Sequence, residues 1–282
     1  PATTEIYTYA IGGSVRCVTE TGDVKRGIEN TSGPLGQGHT FAAGAAVAEK
    51  FLQEKLGKEV IKHKIYAYIS DGGVQEEISQ GTGRIAGNLG LNNLIMFYDS
   101  NDIQLSTECG VVMNEDTAAK YKAWGWNVVT INGNDPDEIR QALKDAQKEE
   151  ERPTLIIGKT VMGKGALKED GTSYEHNIKT HGAPLGGEAY INTIKNLGGN
   201  PENPFVIFPE TEKLYADRKE ELRKIVAERH AEEKAWAEAN PEKAAQMKEW
   251  FSGNAPKVDW SAVVQKEGSA TRAASAACLG VL

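Results

Sequence analysis

The chain has 282 residues, with 32 Lys and Arg against 40 Asp and Glu, a formal charge of −8, 39 % apolar residues and 26 % charged residues. At about 100–200 residues per domain, this is one large domain or one domain with an appendage, long enough to bury a core without disulfides. The mixture excludes a disordered, collagen-like or coiled-coil chain, and the acidic balance argues against nucleic acid as a general partner.

Residues 1–32 are punctuated by Gly12-Gly13, Gly22 and Gly27 and show no clear periodicity. GPLGQG at 33–38 leads into a small-residue segment in which Phe41, Ala45, Ala48 and Leu52 form a helical stripe, and its many Ala and Gly permit close approach. A repeating pattern follows. Lys64–Ile69 reads as a strand ending at Ser70-Asp71-Gly72-Gly73, and Gln75–Leu89 as a helix with Ile78, Ile85 and Leu89 on one side. Asn93–Tyr98 is a strand ending at Asp99-Ser100-Asn101, and Asp116 caps a helix to about Trp124. Asn127–Ile131 is a strand, Asp137–Lys148 a helix after Pro136, and Thr154–Lys159 another strand. This alternation predicts an α/β fold, a parallel sheet with helices on both faces in three layers.

Beyond Lys159 come a Gly-rich loop, Met162 to Gly187, and a Pro/Asn connector around Gly198–Pro209. Glu210–Trp250 reads as a solvated amphipathic helix pair with a Leu222, Ile225, Val226 stripe; its nine basic and eleven acidic residues interleave, unlike a nucleic-acid arm. The expected domains are an α/β domain over 1–205 and a helical extension over 206–282. Ala270–Leu282 reads as a helix cut short and there is no starting Met, so neither end reads as finished. Cys17, Cys109 and Cys278 are odd in number and far apart, without CxxC or Cys/His pairing, which suits a reducing cytoplasm. The longest apolar runs fall short of a membrane span, and no signal peptide is visible.

Ligands of open parallel sheets bind beyond the C-terminal strand ends. Asp71 and Asn101 follow consecutive strands, which puts a carboxylate and an amide oxygen at one sheet edge. Mg²⁺ takes one or two such protein oxygens and completes its octahedron with phosphate and water. Gly72 and Gly73 leave room for a diphosphate to approach backbone N–H groups. Taken singly, Asp71 would serve equally as a helix N-cap and Asn101 as a turn residue.

The Asp-Gly…Asn pattern resembles the metal–diphosphate motif of thiamine-diphosphate enzymes. GPLGQG at 33–38, DGGVQEEISQG at 71–81, FYDSNDI at 97–103 and HGAPLG at 181–186 together resemble transketolase, in order, from about Gly27 to Gly187. The resemblance implies a thiamine-diphosphate-binding fold with thiamine diphosphate and Mg²⁺ (or Ca²⁺) as cofactors. It implies that Asp71 and Asn101 hold the metal by side chains and Ile103 by its carbonyl. Gly72 and Asn101 would touch the diphosphate, and Gly33, Pro34 and Leu35 would lie against the thiazolium and aminopyrimidine. His181 would contact diphosphate and sugar oxygens as a candidate acid/base group. Glu76 would join a carboxylate network linking paired sites across a homodimer; helix phase does not decide between Glu76 and Glu77.

The implied reaction is transfer of a two-carbon ketol unit between sugar phosphates, in the pentose phosphate pathway. Other thiamine ketol transferases and a non-enzymatic binding or assembly module are the alternatives. Lys164, His39, His63, His176 and His230 carry no site pattern, and the five Trp residues read as packing anchors.

Three departures from the family stand out. Ser70 replaces the usual Gly before Asp-Gly. Val18 falls where the family has a His, and no His precedes His39. The pyrimidine-binding domain, which donates a Glu to the aminopyrimidine, would follow residue 282 or reside in a separate subunit. The chain alone is therefore expected to be inactive.

Overall fold

The structure, a computed structural model, describes residues 33–255 and 257–281. The glycine-rich stretch before Gly33, with Cys17 and Val18, lies outside them. Four strands form one parallel sheet: β1 (Ile65–Ser70), β2 (Leu94–Ser100), β3 (Asn127–Asn132) and β4 (Thr154–Lys159), in the order β1-β2-β4-β3. The expected strands recur within one or two residues of these ends, and β4 coincides with its expected span.

Period-two alternation along β2 builds the layers. Leu94, Met96 and Tyr98 enter one core with Ile69, Leu155 and Ile157. Ile95 faces the opposite way, into a second core with Ile156, Ala142 and Ala146. Leu94, Ile95 and Met96 are at most 2 % exposed, and each contributes about 1.5–3 kcal/mol by leaving water. Helices α1 (Gln37–Leu56), α2 (Asp71–Gln75), α3 (Glu77–Asn88) and α5 (Thr117–Ala123) cover the first face; α4 (Cys109–Val112) is a single turn before α5. Helix α6 (Pro136–Ala146) covers the second face. It starts with Pro136 in its first turn and the Asp135 carboxylate accepting from the N–H groups of Asp137 and Glu138.

Burial corrects the helix faces expected from large apolar residues. Helix α1 turns His39, Ala43, Ala46, Glu49 and Leu56 inward, while Phe41 is 58 % exposed. Helix α3 buries Ser79, Thr82, Gly83 and Ala86 and leaves Ile78, Ile85 and Leu89 outside. The inward residues of α3 are small because this helix sits close to its neighbours. A Cβ on Gly87 would stand 1.8 Å from the Trp124 carbonyl oxygen, and the Trp126 indole donates to the Gly83 carbonyl at 2.8 Å. The helix expected over Gln75–Leu89 is interrupted at Glu76, whose extended backbone (ψ 131°) separates α2 from α3.

The segment after Gly186 forms α7 (Gly187–Asn196), which had no expected counterpart. The charged segment is a helix pair, α8 (Pro209–Ala239) and α9 (Pro241–Trp250), and α10 (Thr271–Leu279) follows. The chain divides into two compact units, one ending at Arg218 and one running from Lys219 to Leu282. The division falls inside α8, which begins at Pro209 at the end of the Pro/Asn connector. Trp126 and Trp236 are buried as packing anchors, whereas Trp250 and Trp260 are 41 % and 56 % exposed. Cys109 and Cys278 are free thiols. Among the described residues, no helix is long and apolar enough to cross a membrane.

Candidate cofactor and metal site

Parallel pairing sets Ser70 of β1 beside Asp99 of β2, so the residues leaving the two strands meet at one sheet edge. Asp71 opens α2 there and is 2 % exposed; Asn101 follows β2 and is 9 % exposed. The Asp71 carboxylate does not cap its own helix. Its Oδ1 accepts from the Tyr98 hydroxyl at 2.6 Å, and its Oδ2 accepts from the N–H groups of Asn101 and Asp102 at 3.0 and 3.1 Å. Asn101 does make the expected turn, its Oδ1 accepting from the Ile103 N–H at 3.1 Å.

Every one of these donors to Asp71 is neutral, and among the described residues no Lys, Arg or His pairs with it. A buried carboxylate without a cation carries a desolvation cost of several kcal/mol, which a bound cation would offset. Burial, with Asp71 adding to it, pushes the Tyr98 hydroxyl well above its ordinary range, so it remains a donor at neutral pH. Burial also pushes the Cys109 thiol, beside Gln104 and Asp71, up to about 11. Tyr98 and Cys109 were not singled out from sequence. The parity of Tyr98 with Leu94 and Met96 along β2 is the signal that places it on the Asp71 side.

A cavity of about 650 Å³ opens at this edge, lined by Asp71, Asn101, Ile103, Cys109, Lys159 and His176 among others. That size suits a small-molecule ligand. His176, set aside on spacing grounds, lines the cavity at φ 56°. His181 ends an exposed 3₁₀ turn, Ile178–His181, and does not line it. Its neighbour Gly182 lies against Leu105, a Cβ there standing 3.7 Å from the Leu105 Cδ1.

The GPLG loop reaches the Asp-Gly turn. A Cβ on Gly72 would lie 3.3 Å from Leu35 Cδ1, and one on Gly36 would lie 3.0 Å from Glu76 Cβ. Leu35 is half exposed and Glu76 and Glu77 are exposed, so neither carboxylate turns into the chain's own core. Among the described residues, no three His, Cys, Asp or Glu side chains cluster as a metal cage. The oxygen donors at the strand ends are Asp71, Asn101 and backbone carbonyls, and the Asp102, Glu108, Glu115 and Asp116 carboxylates also line the cavity. They fit a hard cation such as Mg²⁺, which keeps most of its shell for water and phosphate.

Just behind this loop His39 is buried at 5 % exposure. Its Nε2 lies 3.3 Å from the Tyr68 carbonyl, which can only accept, so Nδ1 accepts from the Ser79 hydroxyl at 2.5 Å. Burial holds the imidazole below its ordinary pKa, partly offset by the Tyr68 bond. A depressed folded pKa means full stability above the unfolded value of about 6.5 and loss as pH falls through it. The urea midpoint is expected to fall between pH 7.5 and 5.5 more steeply in the wild type than in His39→Gln. Parallel slopes would contradict this.

An open parallel sheet that brings a buried carboxylate and an amide oxygen to a cavity at its C-terminal edge defines a ligand-binding α/β domain. The family model described as transketolase, thiamine diphosphate binding domain, matches residues 16–256, and the chain belongs to that family. It is 38 % identical over 245 residues to Transketolase 1 of Pasteurella multocida, covering 85 % of this chain and 35 % of that protein. It matches the structure of transketolase from Leishmania mexicana with a TM-score of 0.79 and 31 % identity, over 91 % of this chain and 38 % of the other. It matches a Pichia stipitis transketolase complex with sedoheptulose 7-phosphate with a TM-score of 0.75 and 29 % identity, over 83 % and 34 %. The chain thus spans about a third of the length of the curated relatives it matches.

Proposed function

We propose that the chain is the diphosphate-binding part of a transketolase, holding thiamine diphosphate through a divalent metal at the strand edge. The buried, cation-free carboxylate of Asp71 beside Asn101 carries this reading. Asp71 and Asn101 would ligate Mg²⁺ (or Ca²⁺) by side chains and Ile103 by its carbonyl. Gly72 and Asn101 would contact the diphosphate, and Gly33, Pro34 and Leu35 would lie against the rings. Tyr98 and the N–H groups of Asn101 and Asp102 orient the carboxylate. His181, in the loop that passes Leu105, would meet diphosphate and sugar oxygens as an acid/base group. When bound, thiamine diphosphate supplies the electron sink for moving a two-carbon ketol unit from a ketose phosphate to an aldose phosphate.

The complete unit would need a pyrimidine-binding domain and would form a homodimer, with Glu76 in the carboxylate network between sites. Phe41 and Val47 on α1, Ile78 and Ile85 on α3 and Leu89 just after it are exposed, and the two helices pack together, as a surface covered by another copy requires.

The purified chain, assayed alone, is expected to show no ketol transfer. Mixed with a polypeptide carrying a transketolase pyrimidine-binding domain, it is expected to transfer the ketol unit from ketose phosphate donors. Turnover by the chain alone would overturn the division of labour, and an inert mixture would count against the assigned reaction.

A further inference from the structure

Lys159 is the last residue of β4, with Ser100 of β2 opposite it on one side and Asn132 of β3 on the other. Its ammonium group donates to the Ser100 hydroxyl at 2.9 Å and to Asp102 Oδ1 at 3.1 Å. Asp102 is the pivot of the turn that follows β2. Its φ of 66° is left-handed, a conformation that costs a non-glycine residue about 1–2 kcal/mol and that Asp tolerates better than most. This conformation accompanies the arrangement in which two successive N–H groups, of Asn101 and Asp102, meet one oxygen of Asp71. The Asp102 carbonyl accepts from the Cys109 N–H at 2.9 Å, closing the far side of the same loop. Asp102 is therefore tied by its backbone to Asp71 and Cys109 and by its side chain to β4.

We propose that Lys159 is a positioning residue for the metal site, acting through Asp102 to hold the 101–103 turn where Asn101 and Ile103 stand beside Asp71. The inference rests on the reading that these three residues hold the metal. Lys159 also pairs off the second carboxylate of the loop and leaves Asp71 as the uncompensated one. Both side chains are more than half exposed, so the pair's contribution to folding is small; its effect is on loop geometry, as with supporting residues around metal ligands.

The test is calorimetric titration of thiamine diphosphate into the chain over a series of Mn²⁺ concentrations, for the wild type, Lys159→Met, Lys159→Arg, Asp102→Asn, the Lys159→Met/Asp102→Asn pair and Asp71→Ala. The Mn²⁺ concentration giving half-maximal binding is expected to rise about 5-fold or more in Lys159→Met and in Asp102→Asn. The double variant is expected to match either single one, because the two residues act as one unit. Lys159→Arg is expected to stay within about 2-fold of the wild type, and the metal-free melting midpoint to stay unchanged in the Lys159 and Asp102 variants.

An unchanged Mn²⁺ requirement in Lys159→Met overturns the proposal. So does a fall in ligand affinity at saturating Mn²⁺ with no change in the metal requirement, which would make Lys159 a direct contact of the diphosphate. Wild-type binding that needs no metal, or is insensitive to Asp71→Ala, overturns the metal reading itself and the proposal with it.

Discussion

Asp71→Ala is expected to weaken Mg²⁺-dependent binding of thiamine diphosphate by more than the about 10–100-fold that loss of a supporting residue costs. Three neutral donors converge on this carboxylate in the interior, from Tyr98, Asn101 and Asp102. They orient it without neutralising it, and the charge that remains is what a divalent cation would meet. Alanine removes both the ligand and the group around which the Asn101 turn is wrapped, so the Asn101 and Ile103 oxygens lose their reference as well. Asp71→Asn keeps the shape and separates charge from packing. It is expected to retain the domain's melting midpoint more closely than alanine while losing the metal dependence almost as fully. Wild-type affinity in either variant, measured by calorimetry at saturating Mg²⁺, would contradict the assignment.

The second large effect is expected at Gly36. This residue precedes α1 at φ 83°, and a Cβ there would stand 2.7 Å from Ile78 Cγ2, 2.8 Å from Ser79 Oγ and 3.0 Å from Glu76 Cβ. Gly36→Ala therefore combines a left-handed alanine, about 1–2 kcal/mol, with overpacking, about 1–3 kcal/mol. The expected loss is about 2–5 kcal/mol of unfolding free energy, read from the denaturant midpoint. Because the GPLG loop is seated against Gly72 through Leu35, ligand affinity is expected to fall in the same variant. An unchanged midpoint would mean that the loop is not held against the start of α3.

The contrast between these two sites shows how the fold and the site could be anticipated. The strands were legible because their signal is local: the apolar run Leu155–Ile157 lies between Pro153 and the glycine-rich loop, and β4 forms over Thr154–Lys159. The Asp71–Asn101 pair was legible for a topological reason, since consecutive parallel strands carry their C-terminal ends to one edge. The inward faces of α1 and α3 were not legible. Amphipathic counting favours large residues, whereas close packing at Gly83, Gly87, Ala43 and Ala46 selects small ones and sends Phe41, Ile78 and Ile85 outward. The break at Glu76 likewise depends on what lies against it, Gly36 and its loop, which no local propensity records. Helix α7 carries no local start signal, because it begins at Gly187 with Gly186 as its N-cap and no side-chain cap. Tyr98, Lys159 and His176 gain their places at the site only when three strands and a distant loop are assembled. The family resemblance named Asp71, Asn101 and Ile103 as expected metal ligands without Tyr98, which orients the Asp71 carboxylate.

The most direct test is calorimetry of thiamine diphosphate binding to the unmodified chain, in Mg²⁺ and in EDTA. The buried, unpaired carboxylate predicts measurable binding with Mg²⁺ and affinity at least about tenfold lower without it. Equal affinity under the two conditions would contradict a metal-bridged diphosphate site at Asp71 and Asn101.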